Sequence, residues 1–478
     1  MKKCLLLLWM FSTILFGLNS CDFPETNSRQ VTLAVLSVND MHSAIDNMPK
    51  FAALADSLRN VYPDLLVLSA GDNRTGNPVN DQYEPTNYPM IALMNAVGFK
   101  ASTVGNHEWD GSPAALQRNI EDADFPFLCA NVVVPEGMKL DVKPYVVIEQ
   151  QGLHIAVLGL LETRADGLPG AHPMHFKEIS FRKGEKVLPE YRFLRDEAEV
   201  FILLSHMGYE EDLEIADENP WFDAILGGHS HTLVEFPKKQ NGVMVTQAGS
   251  SLSHATLTLF TVVDGKVVDI NATTLDVAHF GHENAKVRAM LDKFNANSRF
   301  SETLATATTP FVRREELGCM VTDGIRRFTG ADFAFQNTGG IRIDDLPMGP
   351  ITMKDVYDID PFGNDVVVYT MTGSQLEGFI MHSFMANGKW PSYVSGMTYT
   401  VNTDINGKPK SVEIKPDKGR FSKQMNYRIA INSYMASTVR FESVDEGQSQ
   451  YMTSEEMVIR YLRDKKTVSY QGVRRCFK

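Results

Sequence analysis

The chain has 478 residues, 43% of them apolar and 10% aromatic, and a formal charge of −13 at pH 7. That length exceeds one ordinary hydrophobic core and predicts two or three domains, while the apolar content excludes wholesale disorder. The acidic balance excludes a nucleic-acid polymer as partner, which calls for a basic face, but leaves room for a small phosphate ester gripped by local arginine or metal.

At the amino end, Lys2 and Lys3 precede an apolar run from Leu5 to Leu18. The run is too short to span a membrane comfortably, and its order of regions is that of a secretory signal. Leu18-Asn19-Ser20-Cys21 resembles a bacterial lipoprotein box. Residues 1–20 are therefore expected to be removed and Cys21 acylated, giving an exported protein anchored in a bacterial envelope, facing periplasm or cell surface, with that lipid its one membrane attachment. A plain cleaved signal is the alternative. Residues 21–30 read as a tether. Cys129, Cys319 and Cys476 are odd in number and lack metal-type spacing, which argues against a disulfide framework.

From residue 31 to 279, apolar runs alternate with amphipathic helical stretches, the pattern of an α/β domain with buried parallel strands. The runs are Thr32–Val38, Asp64–Ser69, Ala101–Val104, Phe127–Val133, His154–Leu160, Glu199–Leu204, Asp223–Leu226, Val243–Gln247 and Thr256–Val263. Helices are expected at Pro49–Asn60, Pro89–Ala96 and Pro113–Asp122, and a hairpin turn at Asp264-Gly265. Residues 280–300 read as a linker helix, and residues 301–478 as a second α/β domain.

The ends of the runs carry the chemistry. Asn39-Asp40-Met41-His42, Gly71-Asp72-Asn73, Asn106-His107, Ser205-His206-Met207-Gly208 and Gly227-Gly228-His229-Ser230-His231 each follow one. Singly, each is an ordinary turn, cap or core histidine. Together, five strand ends deliver metal-type side chains, and ligands gather at the carboxyl ends of strands in open α/β sheets. Asp40, His42, Asp72, Asn106, His206, His229 and His231 form a donor set suited to zinc, manganese or iron, and too rich in nitrogen for calcium. Seven donors suit two divalent ions, with Asp40, His42, Asp72 and His231 on one and Asp72, Asn106, His206 and His229 on the other. Such a pair, about 3.5–4 Å apart, clamps a phosphoryl group and activates water for in-line attack. Gly105 is expected to turn the chain tightly, and His107 and Asp110, three apart, to share a helical face and hydrogen-bond.

Asp40-x-His42, Gly71-Asp72, Gly105-Asn106-His107-Glu108-x-Asp110, His206 and Gly228-His229-x-His231 resemble the calcineurin-like metallophosphoesterases. Asn337-Thr338-Gly339-Gly340-Ile341-Arg342 and Pro361-Phe362-Gly363-Asn364 narrow the likeness to the bacterial secreted 5'-nucleotidase/UDP-sugar hydrolase family. The resemblance implies an N-terminal four-layer α/β metallophosphoesterase sandwich, a C-terminal α/β substrate-binding domain, and an active site between them that opens by domain rotation near the linker. It implies that His107 and Asp110 steady the transferring phosphoryl or leaving oxygen. Arg313, Asn337 and Arg342 are then the phosphate binders, Phe362 and Tyr434 the walls around a base, and Gly340 and Asn364 further substrate-binding residues. The chain departs from the family twice. Thr338 replaces a glycine of the phosphate loop, and Met435-Ala436-Ser437-Thr438-Val439-Arg440 carries no ribose-binding aspartate after Tyr434.

The expected activity is two-metal hydrolysis of phosphate monoesters, foremost nucleoside 5'-monophosphates, in nucleotide catabolism. The alternatives are a phosphodiesterase or sugar-nucleotide pyrophosphatase on the same site, or an inactive nucleotide-binding lipoprotein.

Overall fold

A computed structural model describes residues 29–296 and 298–478. The signal segment, Cys21 and most of the tether lie outside the described residues. Two six-stranded sheets dominate the first half. One runs in the order Lys266–Asp276, His254–Val263, Gln30–Val38, Leu66–Ser69, Ala101–Thr103, Phe127–Leu128, with the last four strands parallel. The other runs Lys238–Gln240, Val243–Thr246, Ala224–Gly227, Val200–His206, Leu153–Leu161, Tyr145–Gln150, its middle four parallel.

The parallel strands are continuous apolar runs because both of their faces are covered. Leu33, Val35, Leu66 and Leu68 pack between the sheets against Ile155, Val157, Ile202 and Leu204. On the outer faces, Leu36, Val38 and Val67 meet Phe51, Leu54, Ile91 and Met94 of helices Met48–Arg59 and Tyr88–Val97. Ala156, Phe201, Leu203 and Ile225 meet Val187, Leu194 and Ile215 on the opposite side. Each such side chain contributes about 1.5–3 kcal/mol by leaving water. The result is the expected four layers, helix, sheet, sheet, helix. At the hairpin, Asp264 (φ 49) and Gly265 (φ 76) both take the left-handed conformation that a tight two-residue turn requires.

The structure differs from the expectation in two places. The run Phe127–Val133 is not one strand. Phe127–Leu128 closes the first sheet, whereas Val132–Val133 pairs with Ser180–Phe181. Between them the chain crosses to the second sheet, where Ala130 N donates to Gly159 O and the Asn131 side chain binds both Leu161 N and Leu161 O. The linker helix is also shorter, Ala285–Asn295, capped by Asn284, whose side chain accepts from Val287 N. Asn284 further ties it to helix Met48–Arg59 through Asp56 Oδ2 at 2.7 Å, while Val287 and Leu291 are buried.

The second half centres on a five-stranded sheet in the order Tyr393–Ser395, Phe333–Gln336, Asn426–Asn432, Asp365–Thr372, Gln448–Thr453. Helix Arg314–Thr329 buries Leu317, Met320, Val321 and Ile325 in the same core as Phe333 and Phe335. Helix Gly373–Ala386 starts in a capping box between Thr372 and Gln375. Phe333–Gln336 and Asn426–Asn432 are parallel, and Asp365–Thr372 is antiparallel to the latter. The two carboxyl ends and the start of the third strand thus lie at one edge. Cys129, Cys319 and Cys476 are free and buried. Among the described residues no helix is long and apolar enough to cross a membrane.

Candidate active site

The hydrogen-bonded pairing of the first two parallel strands continues past their ends. Asp40 N donates to Gly71 O and His42 N to Asp72 O, each at 2.9 Å, so the two loops are fixed side by side. Five of the seven expected ligands take the left-handed conformation: Asp40 (φ 48), His42 (φ 47), Asp72 (φ 54), His229 (φ 78) and His231 (φ 55). Each costs about 1–3 kcal/mol, a strain that persists only where the surroundings fix the residue and that concentrates at functional sites. Gly105 serves a different purpose from the one expected. Its φ lies outside the left-handed range; a Cβ there would instead collide with the Asp72 carboxylate and stand 2.6 Å from Asp72 N. Close approach, not turn geometry, requires this glycine.

All seven side chains converge. His231 Nε2 lies 3.5 Å from Asp40 Oδ1 and 2.9 Å from His42 Nε2. Asn106 Oδ1 lies 3.0 Å from His229 Nδ1 and 3.3 Å from His206 Nε2. Asp72 Oδ2 reaches one member of each expected set, His206 Nε2 at 3.2 Å and His42 Nε2 at 4.0 Å. Ligand atoms of Asp40, His42 and His231, and of Asp40, Asp72 and His206, lie within 4.8 Å of one another. Beside them His107 Nδ1 meets Asp110 Oδ2 at 2.6 Å, on the single turn His107–Trp109, and His107 N donates to Asp72 Oδ1 at 2.8 Å.

The donor set fits divalent metal on chemical grounds. His42 Nδ1 donates to Thr75 O and His206 Nδ1 to Ala70 O, which turns both Nε2 atoms inward. The lone pair of His42 Nε2 then faces His231 Nε2 at 2.9 Å, and two such lone pairs, with no donor between them, are an arrangement that a shared cation resolves. Burial, reinforced by Arg342 and His107, holds His42 far below the usual imidazole range. Burial and the neighbouring His206 bring His229 down to about 3, and burial with Arg342 brings His231 down to about 4. Neutral imidazole is the form that ligates. His206 is the exception. Burial opposes its charge, but Asp72 and Asp40 outweigh burial and raise it to about 10. Burial likewise opposes charge on His107, yet Asp110 and Asp72 raise its pKa above the usual value.

The second half closes over this cluster, leaving a cavity of about 470 Å³. His107 and Asp110 line one side, Asn337, Gly340, Arg342, Phe362, Asn364 and Tyr434 the other. Arg342 Nη2 stands 3.5 Å from both ring nitrogens of His42, and its guanidinium lies 5.8 Å from the Phe362 ring centre. Phe362 and His107 have ring centres 6.0 Å apart. Asn432 donates to Gln336 and Asn337, both at 2.9 Å, which joins the two strand ends that carry this wall. Arg313 is not brought to the cavity wall. It pairs with Glu316 Oε1 at 3.1 Å, and its neighbour Arg314, paired with Asp344, is the arginine whose charge bears on Arg342.

Residues 33–233 match the family model for calcineurin-like phosphoesterases, and residues 295–441 that for the 5'-nucleotidase C-terminal domain. This chain belongs to the metallophosphoesterases of the 5'-nucleotidase family, metal-dependent hydrolases of phosphate esters. It is 28% identical to the protein UshA of Yersinia enterocolitica, over 78% of this chain and 77% of that one. It is 27% identical to the trifunctional nucleotide phosphoesterase protein YfkN of Bacillus subtilis, over 85% of this chain; the alignment spans 32% of that longer protein. The crystal structure of a 5'-nucleotidase precursor from Thermus thermophilus shares the fold, with a TM-score of 0.80 at 24% identity, covering 94% of this chain and 99% of that one.

The metallophosphoesterase half also contains supporting residues that the sequence reading left without a role. Glu108 accepts from Asp72 N at 3.0 Å, Asn73 N at 2.8 Å and Gly105 N at 2.6 Å, and so ties two ligand loops together. Thr75 donates to Asp110 Oδ2 at 2.7 Å, and the buried Arg74 adds positive charge beside Asp110. Glu108 was visible inside the Gly105–Asp110 motif. His172 and His175 also line the cavity, and Ser433 lines it as well. Nothing in their spacing marks them, because they sit on and before the short 3-10 turn Pro173–Phe176 and not at a strand end.

Proposed function

We propose that this chain hydrolyses phosphate monoesters, nucleoside 5'-monophosphates foremost, at a centre of two divalent ions such as zinc or manganese. The observation that carries the reading is a metal-type donor cluster facing an arginine and an aromatic ring across one cavity, with Arg342 3.5 Å from His42 and Phe362 6.0 Å from His107. Asp40, His42, Asp72 and His231 would hold one ion and Asp72, Asn106, His206 and His229 the other. Bound there, the ions supply charge that polarises the phosphoryl oxygens and lowers the pKa of nearby water.

The chain's own residues do the rest. Arg342 offers paired donors to phosphate oxygens, with Asn337 and the backbone near Gly340 beside it. Asp110 keeps the His107 Nδ1 proton in place and, with Asp72, favours the imidazolium, so Nε2–H can meet the negative charge that builds on the transferring phosphoryl or leaving oxygen. Phe362 and Tyr434 would flank a base, and Asn364, which accepts from Ser433 Oγ at 3.2 Å, lines the same cavity. Export through the amino-terminal signal and anchoring at Cys21 complete the proposal.

Phosphate release from AMP in the presence of manganese or zinc tests it. His107→Ala should lower kcat by about 10²- to 10⁴-fold while metal uptake and the folded-state spectrum are retained. Rates on AMP, a 2',3'-cyclic nucleotide and UDP-glucose rank the monoester reading against its diesterase and pyrophosphatase alternatives. A protein that loads metal yet turns over none of these esters overturns the proposal.

A further inference from the structure

The ligand histidines do not all have the same support. The off-centre nitrogen of His42 donates to Thr75 O at 3.2 Å, and that of His206 to Ala70 O at 2.7 Å. His229 is turned the other way round: Nδ1 faces Asn106 Oδ1 at 3.0 Å, the side on which the proposed ion would sit, and with Nδ1 given to that ion Nε2 carries the proton. The side chain facing that nitrogen is Glu162, whose Oε2 stands 3.9 Å away. Glu162 follows strand Leu153–Leu161, next in the parallel sheet to Val200–His206, and its backbone N–H donates to His206 O at 2.9 Å. Its Oε2 is buried and has no hydrogen-bond partner. A buried carboxylate oxygen without a partner costs free energy, and one kept beside a candidate metal ligand calls for a role there.

We infer that Glu162 is a positioning residue for the metal centre, accepting the Nε2–H of His229 so that Nδ1 is presented to the ion. This inference rests on the metal-centre reading above. A shift of about an ångström closes the gap to hydrogen-bond length, and such bonds commonly tighten once a site is loaded. The carboxylate then fixes the ring's tautomer and orientation and raises the basicity of Nδ1, the role that outer carboxylates play behind metal-bound histidine. Arg164 and Glu211 also bear on Glu162. Glu211, on helix Tyr209–Glu218, also comes near, its Oε2 and His229 Cδ2 both lying within 4 Å of where a Cβ on Gly208 would stand, but among the described residues it forms no ion pair with His229 within 4.0 Å.

The test is a zinc titration of the full chain against a chromophoric chelator, read as two affinities, with thermal melting of each metal-free variant alongside. Glu162→Ala should weaken one of the two zinc affinities by about 10- to 100-fold and leave the other and the metal-free melting temperature unchanged. Glu162→Gln, which keeps an acceptor, should recover part of the loss, and Glu211→Ala should match wild type. Two zinc ions bound equally well by wild type and Glu162→Ala overturn the inference alone. So does equal weakening of both sites with a lowered melting temperature, or loss in Glu211→Ala instead. Wild-type protein that takes up no zinc overturns the metal-centre reading and this inference with it.

Discussion

Asp72 is the residue on which the centre turns. One carboxylate oxygen accepts from His107 N, the other lies between His206 and His42, and Gly105 and Glu108 hold the surrounding backbone. Its carboxyl is held well below the usual range because the charges of His206, His107 and His42 outweigh the penalty of burial. The same negative charge, with that of Asp110, raises His107. If protonated His107 serves the reaction, kcat/KM falls as pH rises through that raised pKa. Asp110→Asn removes the largest favourable charge and leaves burial, which opposes protonation. The alkaline limb of the pH profile should then move to lower pH by about 1–3 units. A limb that stays in place would show that His107 is not the group titrating.

At the scale of elements, the sequence makes legible whatever depends on periodicity and fails where a single contact redirects the chain. The four parallel strands of each sheet appear as uninterrupted apolar runs because both faces are covered, and residues at the ends of several of them inherit the ligand positions. Asn131 could not be foreseen as the bridge that splits Phe127–Val133, since its partners at Leu161 are distant in sequence. Glu162 lies just beyond the run His154–Leu160, so the strand-end rule that exposed Asp40 and Asp72 reaches it too. Its carboxylate lacked only a metal-type neighbour in sequence. Arg313 illustrates the opposite case, because adjacent arginines cannot be ranked without knowing that Glu316 engages the first. Another pair was equally hidden. Asp360, before the Phe362 loop, and Glu455, at the start of helix Ser454–Lys465, are both buried, and Ser454 Oγ lies 2.6 Å from Asp360 Oδ2 and 3.2 Å from Glu455 Oε2. Burial raises both, Glu455 to about 8, and Asp360 adds to the rise. Unfolded, both ionise in the ordinary carboxylate range. The folded chain therefore binds more protons between that range and about pH 8, and stability present at low pH is lost as pH rises through it. Glu455→Gln removes most of this titration. Its melting temperature should fall less than that of wild type from about pH 5 to about pH 8.5, and parallel curves would refute the assignment.

Across the whole molecule, neither half contains a complete site. The first supplies the donor cluster and His107, the second Arg342 and the aromatic wall, and the cavity exists only where they meet. Polar contacts cross the cavity on both of its sides. Arg164 of the first half donates to the Tyr434 hydroxyl at 3.4 Å, and Arg342 of the second reaches His42 at 3.5 Å. The first acts on the wall assigned to the base, the second on the phosphate side. Arg164 is also paired with Asp166, at 3.0 Å. A long, partly exposed hydrogen bond of this kind is worth about 0.5–1.5 kcal/mol, or roughly 2- to 10-fold in an equilibrium. Arg164→Leu should therefore raise KM for AMP by about that factor with little change in kcat. Glycerol 2-phosphate, which has no base to stack, should show no such rise. Equal losses on both substrates would place Arg164 on the phosphate side and dissociate Tyr434 from base recognition.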